Sequence, residues 1–247
     1  MGEFSKIEWT DHTFNPWIGC QHVSPGCDHC YAETQNRRFK WNGGDWGPHG
    51  RRKRTSAANW QKPLQWNKAA QTDDVRPKIF CASLADWLDN KAPQSWRDDL
   101  AALIRATPNL DWLLLTKRIE NYGRFAPWSD IPRNVWLGVT CEDQHYYNRR
   151  WAILSGIEAE IRFISYEPAL GPLELSCQNS AKAPDWIICG GESGSGARIM
   201  KRRWARNLRD ECQELDVAFF MKQMTARKEI PSDLLVRQFP EPRSHFA

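Results

Sequence analysis

Short runs of nearly continuous apolar residues recur from residue 78 onward and constrain the fold more than any other feature of this chain. Such runs are typical of parallel strands that are buried on both faces. Helix-like stretches lie between several of them, so the pattern predicts stacked βαβ units. We expect a full or partial α/β barrel, with an open doubly wound sheet as the second interpretation. The expected strands are 78–83, 112–116, 135–140, 161–165, 186–190 and 217–221, and the expected helices are 95–106 (capped by Ser95), 144–154 and 203–215.

Polar or ionisable residues follow five of these runs, where the strands would end. Ligands of parallel α/β folds bind beyond the carboxyl ends of the strands. Together these residues therefore predict a polar site at one mouth of the barrel. Asp86 and Asp143, taken singly, are more simply explained as helix caps or surface residues. The set comprises Ser83 and Asp86; Thr116, Lys117 and Arg118; Thr140, Cys141, Glu142 and Asp143; Ser165 and Glu167; and Glu192 and Ser193.

Three cysteines near the N-terminus, Cys20, Cys27 and Cys30, have C-x6-C-x2-C spacing in a segment containing Gly and Pro. Thiolates in such a loop can converge on one iron–sulfur cluster or one zinc ion. A structural zinc needs a fourth protein ligand, for which His22 or His29 is available, whereas a [4Fe–4S] cluster would keep one iron open. Because no secretory pattern precedes the loop, we expect a reducing cytosol, where cysteines serve metal binding or catalysis rather than disulfides.

Positive charge is concentrated in residues 37–68, which hold nine basic residues against Asp45 alone, a net charge of +8. Four tryptophans interrupt this basic tract. Cations neutralise phosphates and aromatic faces stack on unpaired bases, so the composition is typical of a surface that faces nucleic acid. A solvated loop whose tryptophans cover the core is the other interpretation, and both stay open. The candidate nucleic-acid contacts in the tract are Arg51, Arg52, Lys53, Arg54 and Trp60.

A second candidate for phosphate contact is the glycine-rich segment that follows the run at 186–190. Gly190 and Gly191 allow a ligand to approach the backbone closely, and 194–196 precedes a basic helix start. A flexible strand-to-helix turn would have the same composition. If the segment does bind phosphate, Arg198, Arg202 and Arg203 are its candidate nucleic-acid contacts.

The stretches 15–20 and 24–33, NPWIGC and SPGCDHCYAE, resemble a phage-encoded family of radical-SAM-like proteins, most of them uncharacterised. The resemblance extends along nearly the whole chain. It includes the tract 54–66, the LTKR at 115–118, the S-x-E-P at 165–168, the GGESG at 190–194 and the FFMKQ at 219–223.

This resemblance implies a single radical-SAM-like domain over 1–247, folded as a partial (β/α) barrel with 37–68 as a basic insertion or lid after the cluster loop. Cys20, Cys27 and Cys30 would each hold one iron of a [4Fe–4S] cluster, and the fourth iron would chelate the amino and carboxylate groups of S-adenosylmethionine. Reduction would release a 5′-deoxyadenosyl radical that abstracts hydrogen from a substrate. The first cysteine gap is longer than the C-x3-C-x2-C spacing commonest among radical-SAM proteins.

The implied chemistry assigns expected roles to the other strand ends. Lys117 or Arg118 would pair with the methionine carboxylate, and Glu142 or Glu167 would accept the ribose hydroxyls. Cys141 would return a hydrogen atom to a product radical. The expected cofactor-binding residues are Tyr31, Ser83, Lys117, Arg118, Glu142, Glu167, Gly190, Gly191 and Glu192, and the expected catalytic residues are Cys141, Glu167 and Glu192.

We therefore expect a radical S-adenosylmethionine enzyme of isomerase or lyase type that acts on a nucleic-acid base or base adduct. An aminoacyl-thymine in hypermodified phage DNA is the first substrate considered, and repair of a base photoproduct, similar to the spore photoproduct lyases, is the second. The expected partners are DNA or a nucleotide and a reduced flavodoxin or ferredoxin, with no membrane segment. A zinc-stabilised, non-catalytic nucleic-acid-binding module and a radical enzyme for a small metabolite stay open as alternatives.

Overall fold

The computed structural model describes residues 5–72, 76–175, 183–194 and 196–241. Its strands are β1 (His12–Thr13), β2 (Trp17–Ile18), β3 (Lys53–Arg54), β4 (Lys78–Cys81), β5 (Asp111–Thr116), β6 (Val135–Thr140), β7 (Ile161–Tyr166), β8 (Trp186–Gly190) and β9 (Ala218–Gln223). The order within the main sheet is β1-β4-β5-β6-β7-β8-β9, and β2 pairs with β3 separately. A doubly wound sheet reverses its strand order, whereas this order never reverses. The fold is therefore α/β of the partial-barrel type, as the first interpretation predicted.

The helices are α1 (Tyr31–Phe39), α2 (Ala57–Ala69), α3 (Gln94–Arg105), α4 (Tyr122–Phe125), α5 (Gln144–Leu154) and α6 (Arg202–Glu214), and 3₁₀ turns lie at Pro25–Cys27, Ala70–Thr72, Ile119–Asn121, Thr225–Arg227 and Ser232–Leu234. The helix predicted over 144–154 is confirmed, and Asp143 caps it by accepting a hydrogen bond from the Tyr146 amide at 3.1 Å. The prediction that Ser95 caps α3 is wrong. Pro93 occupies that position with φ of −58° and an extended ψ of 142°, and no side chain caps the helix there.

The chain forms two compact units, residues 1–136 and 137–247. In the first unit, β4 pairs in parallel with both β1 and β5, with His12 opposite Ile79 and Lys78 opposite Asp111. Its core is strongly aromatic. Phe14 and Trp112 are fully buried and meet edge to face at 5.6 Å between ring centroids, a favourable geometry for two aromatic rings.

In the second unit, β8 lies between β7 and β9, and both pairings are parallel. Every residue of β7 and β8 is buried, and so is every residue of β6, whose last four residues belong to this unit, as expected for strands covered on both faces. Gly138 has a packing role here, because any Cβ at this position would overlap the ring of Phe163.

The basic tract 37–68 spans the end of α1, the loop before β3, β3 itself and nearly all of α2. Its tryptophans differ in exposure. Trp66 is buried and stacks on the His12 ring at 4.3 Å between centroids, so it belongs to the core. Among the described residues, no helix has both the length and the apolar composition that crossing a bilayer requires.

Candidate metal centre and neighbouring strand ends

The three cysteines of the motif lie in one loop that begins directly after β2. Cys20 follows Gly19, Cys27 ends a 3₁₀ turn, and Cys30 is the residue that precedes α1. All three thiols are free. Gly19 is required where it stands, because its φ is +114° and an added Cβ would lie 2.8 Å from the Arg51 carbonyl oxygen.

Asp86, beyond the end of β4, is buried and connects two strand ends of the first unit. Its Oδ1 accepts hydrogen bonds from the Thr116 hydroxyl at 2.7 Å and from the Leu88 amide at 2.9 Å. Its Oδ2 accepts from the Lys117 amide at 2.9 Å. The sequence explained Asp86 most simply as a cap or surface residue, whereas the structure makes it a buried acceptor of three hydrogen bonds.

Arg118, two residues beyond the end of β5, links this carboxylate to the cysteine loop. Its Nε lies 3.9 Å from Asp86 Oδ2. Its Nη2 donates to the Gln21 carbonyl oxygen at 2.7 Å and lies 3.7 Å from the Cys20 sulfur. Only 5% of the Arg118 side chain is exposed, so its charge is committed to the loop and to Asp86.

The surroundings of the thiols act in opposite directions on their ionisation. Burial, and then the charge of Asp86, raises the pKa of Cys20 to about 12, although the charge of Arg118 acts in the opposite direction. Burial also raises the pKa of Cys30, whereas amides of the first turn of α1 and the charge of Lys117 lower it. Two cations therefore face thiols that metal binding would convert to thiolates.

Tyr31 and Ser83, both expected to contact cofactor, are brought together. The Tyr31 hydroxyl donates to the Ser83 carbonyl oxygen at 2.7 Å, and nearly half of Tyr31 is exposed. The Ser83 hydroxyl accepts from the Asn15 amide group at 2.9 Å. Together with Lys117 and Arg118, they make four expected cofactor contacts that belong to the first unit.

The three free thiols of this loop are donors of the type that iron–sulfur clusters use, and the charges of Arg118 and Lys117 favour the thiolate form of two of them. Within the described ranges, no group of three His, Cys, Asp or Glu side chains is close enough to hold a single metal ion.

In the second unit, Glu142 and Cys141 are buried beyond the end of β6. Glu142 Oε2 accepts a hydrogen bond from Arg150 Nη1 at 2.7 Å, and the two side chains are 0% and 3% exposed. Arg150 also donates to the Thr140 carbonyl oxygen at 2.6 Å. Glu142, expected to accept ribose hydroxyls, is therefore one partner of a buried ion pair.

Glu167, beyond the end of β7, pairs with a residue that the site prediction did not include. Its carboxylate oxygens accept from Lys222 Nζ at 2.6 and 2.7 Å and from the Gln223 amide group at 3.3 Å. The two charged side chains are about one-fifth exposed, at 18% and 21%. A Cβ at Gly190 would lie 3.4 Å from this carboxylate. The FFMKQ segment at 219–223, which is part of the family resemblance, is the sequence signal that could have identified Lys222.

Glu192 closes the turn that follows β8. It accepts from the Arg198 amide at 2.7 Å and forms an ion pair with the Arg198 guanidinium. Gly191 packs so tightly on Thr225 that a Cβ would lie 2.6 Å from the Thr225 amide nitrogen. Ser195 lies outside the described residues. Arg202 and Arg203, the other two candidate phosphate contacts here, are exposed at the start of α6.

The candidate nucleic-acid contacts of the basic tract differ in what they touch. Arg52 is buried against Asp89 at 2.6 Å, and Arg54 lies over the Trp60 ring while pairing with Asp99. Trp60 packs edge to face on Phe14. The two remaining contacts, Arg51 and Lys53, are exposed; Arg51 pairs with Asp45, and Lys53 donates to the Trp41 carbonyl oxygen.

Comparison with known proteins identifies a family and a fold. The model of a family described as "Protein of unknown function (DUF5131)" matches residues 4–234. No curated protein matches the sequence.

Among solved structures, a spore photoproduct lyase variant with bound AdoMet and dinucleoside spore photoproduct is similar to 90% of this chain, at 11% identity and a TM-score of 0.51. A second variant, with the dinucleoside photoproduct, is similar to 88% of this chain at 11% identity and a TM-score of 0.49. The chain spans only 58% and 57% of these two structures. At this identity the likeness concerns the fold.

Proposed function

Because the chain belongs to the DUF5131 family, whose function is unknown, we propose an activity from the site itself: it is a radical S-adenosylmethionine enzyme acting on a nucleic-acid base or base adduct. One observation carries the proposal. Three free thiols share a loop against which Arg118 is packed, and the charge of Lys117 favours the thiolate form of Cys30. Such a donor set suits a cluster with one iron left open.

Cys20, Cys27 and Cys30 would hold the [4Fe–4S] cluster, and S-adenosylmethionine would bind its open iron. Together they would supply a carbon-centred radical that removes hydrogen from the substrate. Lys117 is the cation proposed for the methionine carboxylate, because Arg118 is committed to the loop. Tyr31 and Ser83 would form an edge of the same site.

In the second unit, we propose that Glu167 contacts cofactor or substrate, because its carboxylate is partly exposed and lies next to Gly190. Glu192 is proposed to hold the turn through which Gly191 approaches a ligand. Cys141 is the proposed hydrogen-atom donor, because it lies directly beyond the end of β6. Glu142 is proposed to support the fold rather than the cofactor, because Arg150 neutralises it in the interior.

The proposed substrate is a modified thymine in DNA, and an aminoacyl-thymine undergoing isomerisation in phage DNA is the first candidate. The basic tract supports a nucleic-acid partner. Lyase-type repair of a base adduct is the second candidate, supported by the likeness to a protein whose structure holds a dinucleoside spore photoproduct. A reduced flavodoxin or ferredoxin is the proposed electron donor.

The first experiment is anaerobic purification with quantification of iron, sulfide and zinc, followed by dithionite reduction and an assay for 5′-deoxyadenosine. We expect about four irons and four sulfides per chain. Cys27→Ala should lose cluster and cleavage together, whereas the matched control Cys212→Ala, a buried thiol on α6, should keep both. One zinc per chain without cleavage would instead establish a non-catalytic binding module.

The substrate is then tested with the active enzyme. DNA containing an aminoacyl-thymine, the dinucleoside spore photoproduct and free nucleosides would be compared by mass spectrometry of the products. Isomerised base supports the first candidate and separated thymines support the second. Turnover of free nucleosides alone, with DNA left unchanged, would contradict a DNA substrate.

A further inference from the structure

The end of α1 presents an exposed aromatic ring that stacks on a partly buried one. Phe39 is 53% exposed, and its ring stacks on that of Trp41 with 5.2 Å between centroids and 19° between planes. Between them, Lys40 adopts a left-handed conformation with φ of +50°, which ends the helix and reverses the chain. An exposed ring that a second ring holds in a fixed orientation is a surface that suits a planar partner.

Basic residues neighbour this pair in sequence. The Arg38 guanidinium lies 5.2 Å from the Phe39 ring centroid, and Lys40, the residue between Phe39 and Trp41 in the chain, is exposed. Arg37 pairs with Glu33 at 2.6 Å but keeps 71% of its side chain exposed. Lys53 donates to the Trp41 carbonyl oxygen at 2.8 Å and so holds the segment in place.

The pair also shares its packing with the cysteine loop. Trp41 packs against a small buried cluster of Ile18, Ala32 and Leu84, and Cys30 packs against the same cluster. The platform and one of the proposed cluster ligands are thus supported by the same three residues. A strand held on the rings would lie beside the loop that carries the thiols.

We infer that Phe39 and Trp41, flanked by Arg37, Arg38 and Lys40, form a stacking platform for an unpaired stretch of nucleic acid. Bases stack on aromatic rings and on arginine guanidinium planes, and lysines and arginines neutralise the phosphates between them. Phe39 carries the exposed ring, because Trp41, Trp46 and Trp60 are partly buried and Trp66 is buried, so the stacking is assigned to Phe39 and to the ring that it stacks on. The inference rests on the proposed nucleic-acid substrate and adds where the strand is held.

The test is fluorescence anisotropy of full-length protein with a labelled oligothymidylate of about 12 nucleotides and with a duplex of equal length. Phe39→Ala should weaken single-strand binding about 10-fold, as expected for the loss of one stacked base, and Phe39→Trp should restore it. The matched control Leu64→Ala, an exposed apolar residue on α2, should bind like the wild type. Arg38→Gln should make the single-strand affinity fall less steeply with salt, because one phosphate contact is lost. Arg105→Gln on α3 should leave this slope unchanged.

Three outcomes would overturn the platform. The first is single-strand binding by Phe39→Ala that equals the wild type, and the second is a loss for Leu64→Ala as large as that for Phe39→Ala. The third is a loss by Phe39→Ala of affinity for a polyglutamate probe as large as its loss for the oligothymidylate, which would indicate an acidic protein partner. Iron content and cleavage of S-adenosylmethionine are measured on the same wild-type preparation. Phe39-dependent binding without iron would refute the enzyme and support the platform. Iron and cleavage without Phe39-dependent binding would refute the platform alone.

Discussion

The two units treat the same sequence pattern differently. In the first unit, the polar residues after β4 and β5 connect through Asp86 and Arg118 to a loop whose thiols are free. In the second unit, the carboxylates after β6, β7 and β8 each meet a cation. Those pairs are Glu142 with Arg150, Glu167 with Lys222, and Glu192 with Arg198.

This difference teaches that a position at a strand end does not by itself leave a polar residue available to a ligand, because a residue from elsewhere can neutralise it. Arg150 reaches Glu142 from α5, eight positions along the chain, whereas Lys222 reaches Glu167 from β9, 55 positions away. The extent of burial then distinguishes the three ion pairs. A pair sealed in the interior supports the fold, and one with exposed atoms can still exchange its partner for a ligand.

The largest effect is expected at the sealed pair of the second unit. Glu142→Gln would leave the Arg150 charge buried without a counter-charge, so the free energy of unfolding should fall by about 3–5 kcal/mol in urea titrations. The double variant Glu142→Leu, Arg150→Met should recover most of this loss, because apolar residues can replace a buried pair. Glu158→Gln, at an exposed position, is the control. A loss under about 1 kcal/mol would mean that the pair does not hold this unit together.

A smaller effect is expected at the network that supports the cysteine loop. Asp86→Asn should cost about 2 kcal/mol, because the new amide group would face the Lys117 amide and the Arg118 guanidinium, which are both donors. Thr116→Val removes the hydrogen bond to Asp86 and the one that the hydroxyl accepts from the Arg118 amide, and it should cost about 1.5 kcal/mol.

Iron retained after anaerobic gel filtration should follow the same order, with Asp86→Asn losing more iron than Thr116→Val. Asp130→Asn, an exposed aspartate, should change neither quantity. Full stability and full iron retention in Asp86→Asn would show that Arg118 holds the loop without its carboxylate partner.

The smallest effect is expected at an exposed pair of the second unit. Hydrogen bonds from Arg206, then Arg209, lower the pKa of Asp233 to about 2. A lowered pKa in the folded state stabilises the protein above the ordinary aspartate pKa, and that contribution is lost as the pH falls from about 4 to about 2. As the pH falls through this range, the melting temperature of Asp233→Asn should therefore decrease slightly less than that of the wild type. The difference from wild type should vanish in high salt, and its persistence there would contradict a screened surface pair.

Much of the fold could be predicted from the sequence. The runs at 135–140 and 186–190 are strands with the expected bounds, because continuous apolar residues suit strands buried on both faces. The cap of α5 by Asp143 was also predictable, since its hydrogen bond is local. The start of α3 was missed, because Pro93 rather than Ser95 provides the helix start.

Less of the candidate site could be predicted. The sequence identified the three cysteines by their spacing and the polar strand ends by their place. It gave no means to decide which basic residues of the tract face solvent. The composition of the tract predicted Arg52 and Trp60 as nucleic-acid contacts, whereas Arg52 pairs with Asp89 and Trp60 packs on Phe14. Phe39 was not among the predicted contacts, although its ring is exposed.

The sequence by itself determined the order of strands and helices, the loop that holds Cys20, Cys27 and Cys30, and the concentration of positive charge, because these depend on residue type and near neighbours. Only the tertiary structure decided that Arg118 turns to the loop, that Lys222 neutralises Glu167, and that Phe39 remains in solvent. The physical reason is that charge pairing and burial depend on residues distant in sequence. A side chain's partner is set by what the fold brings within a few ångströms of it.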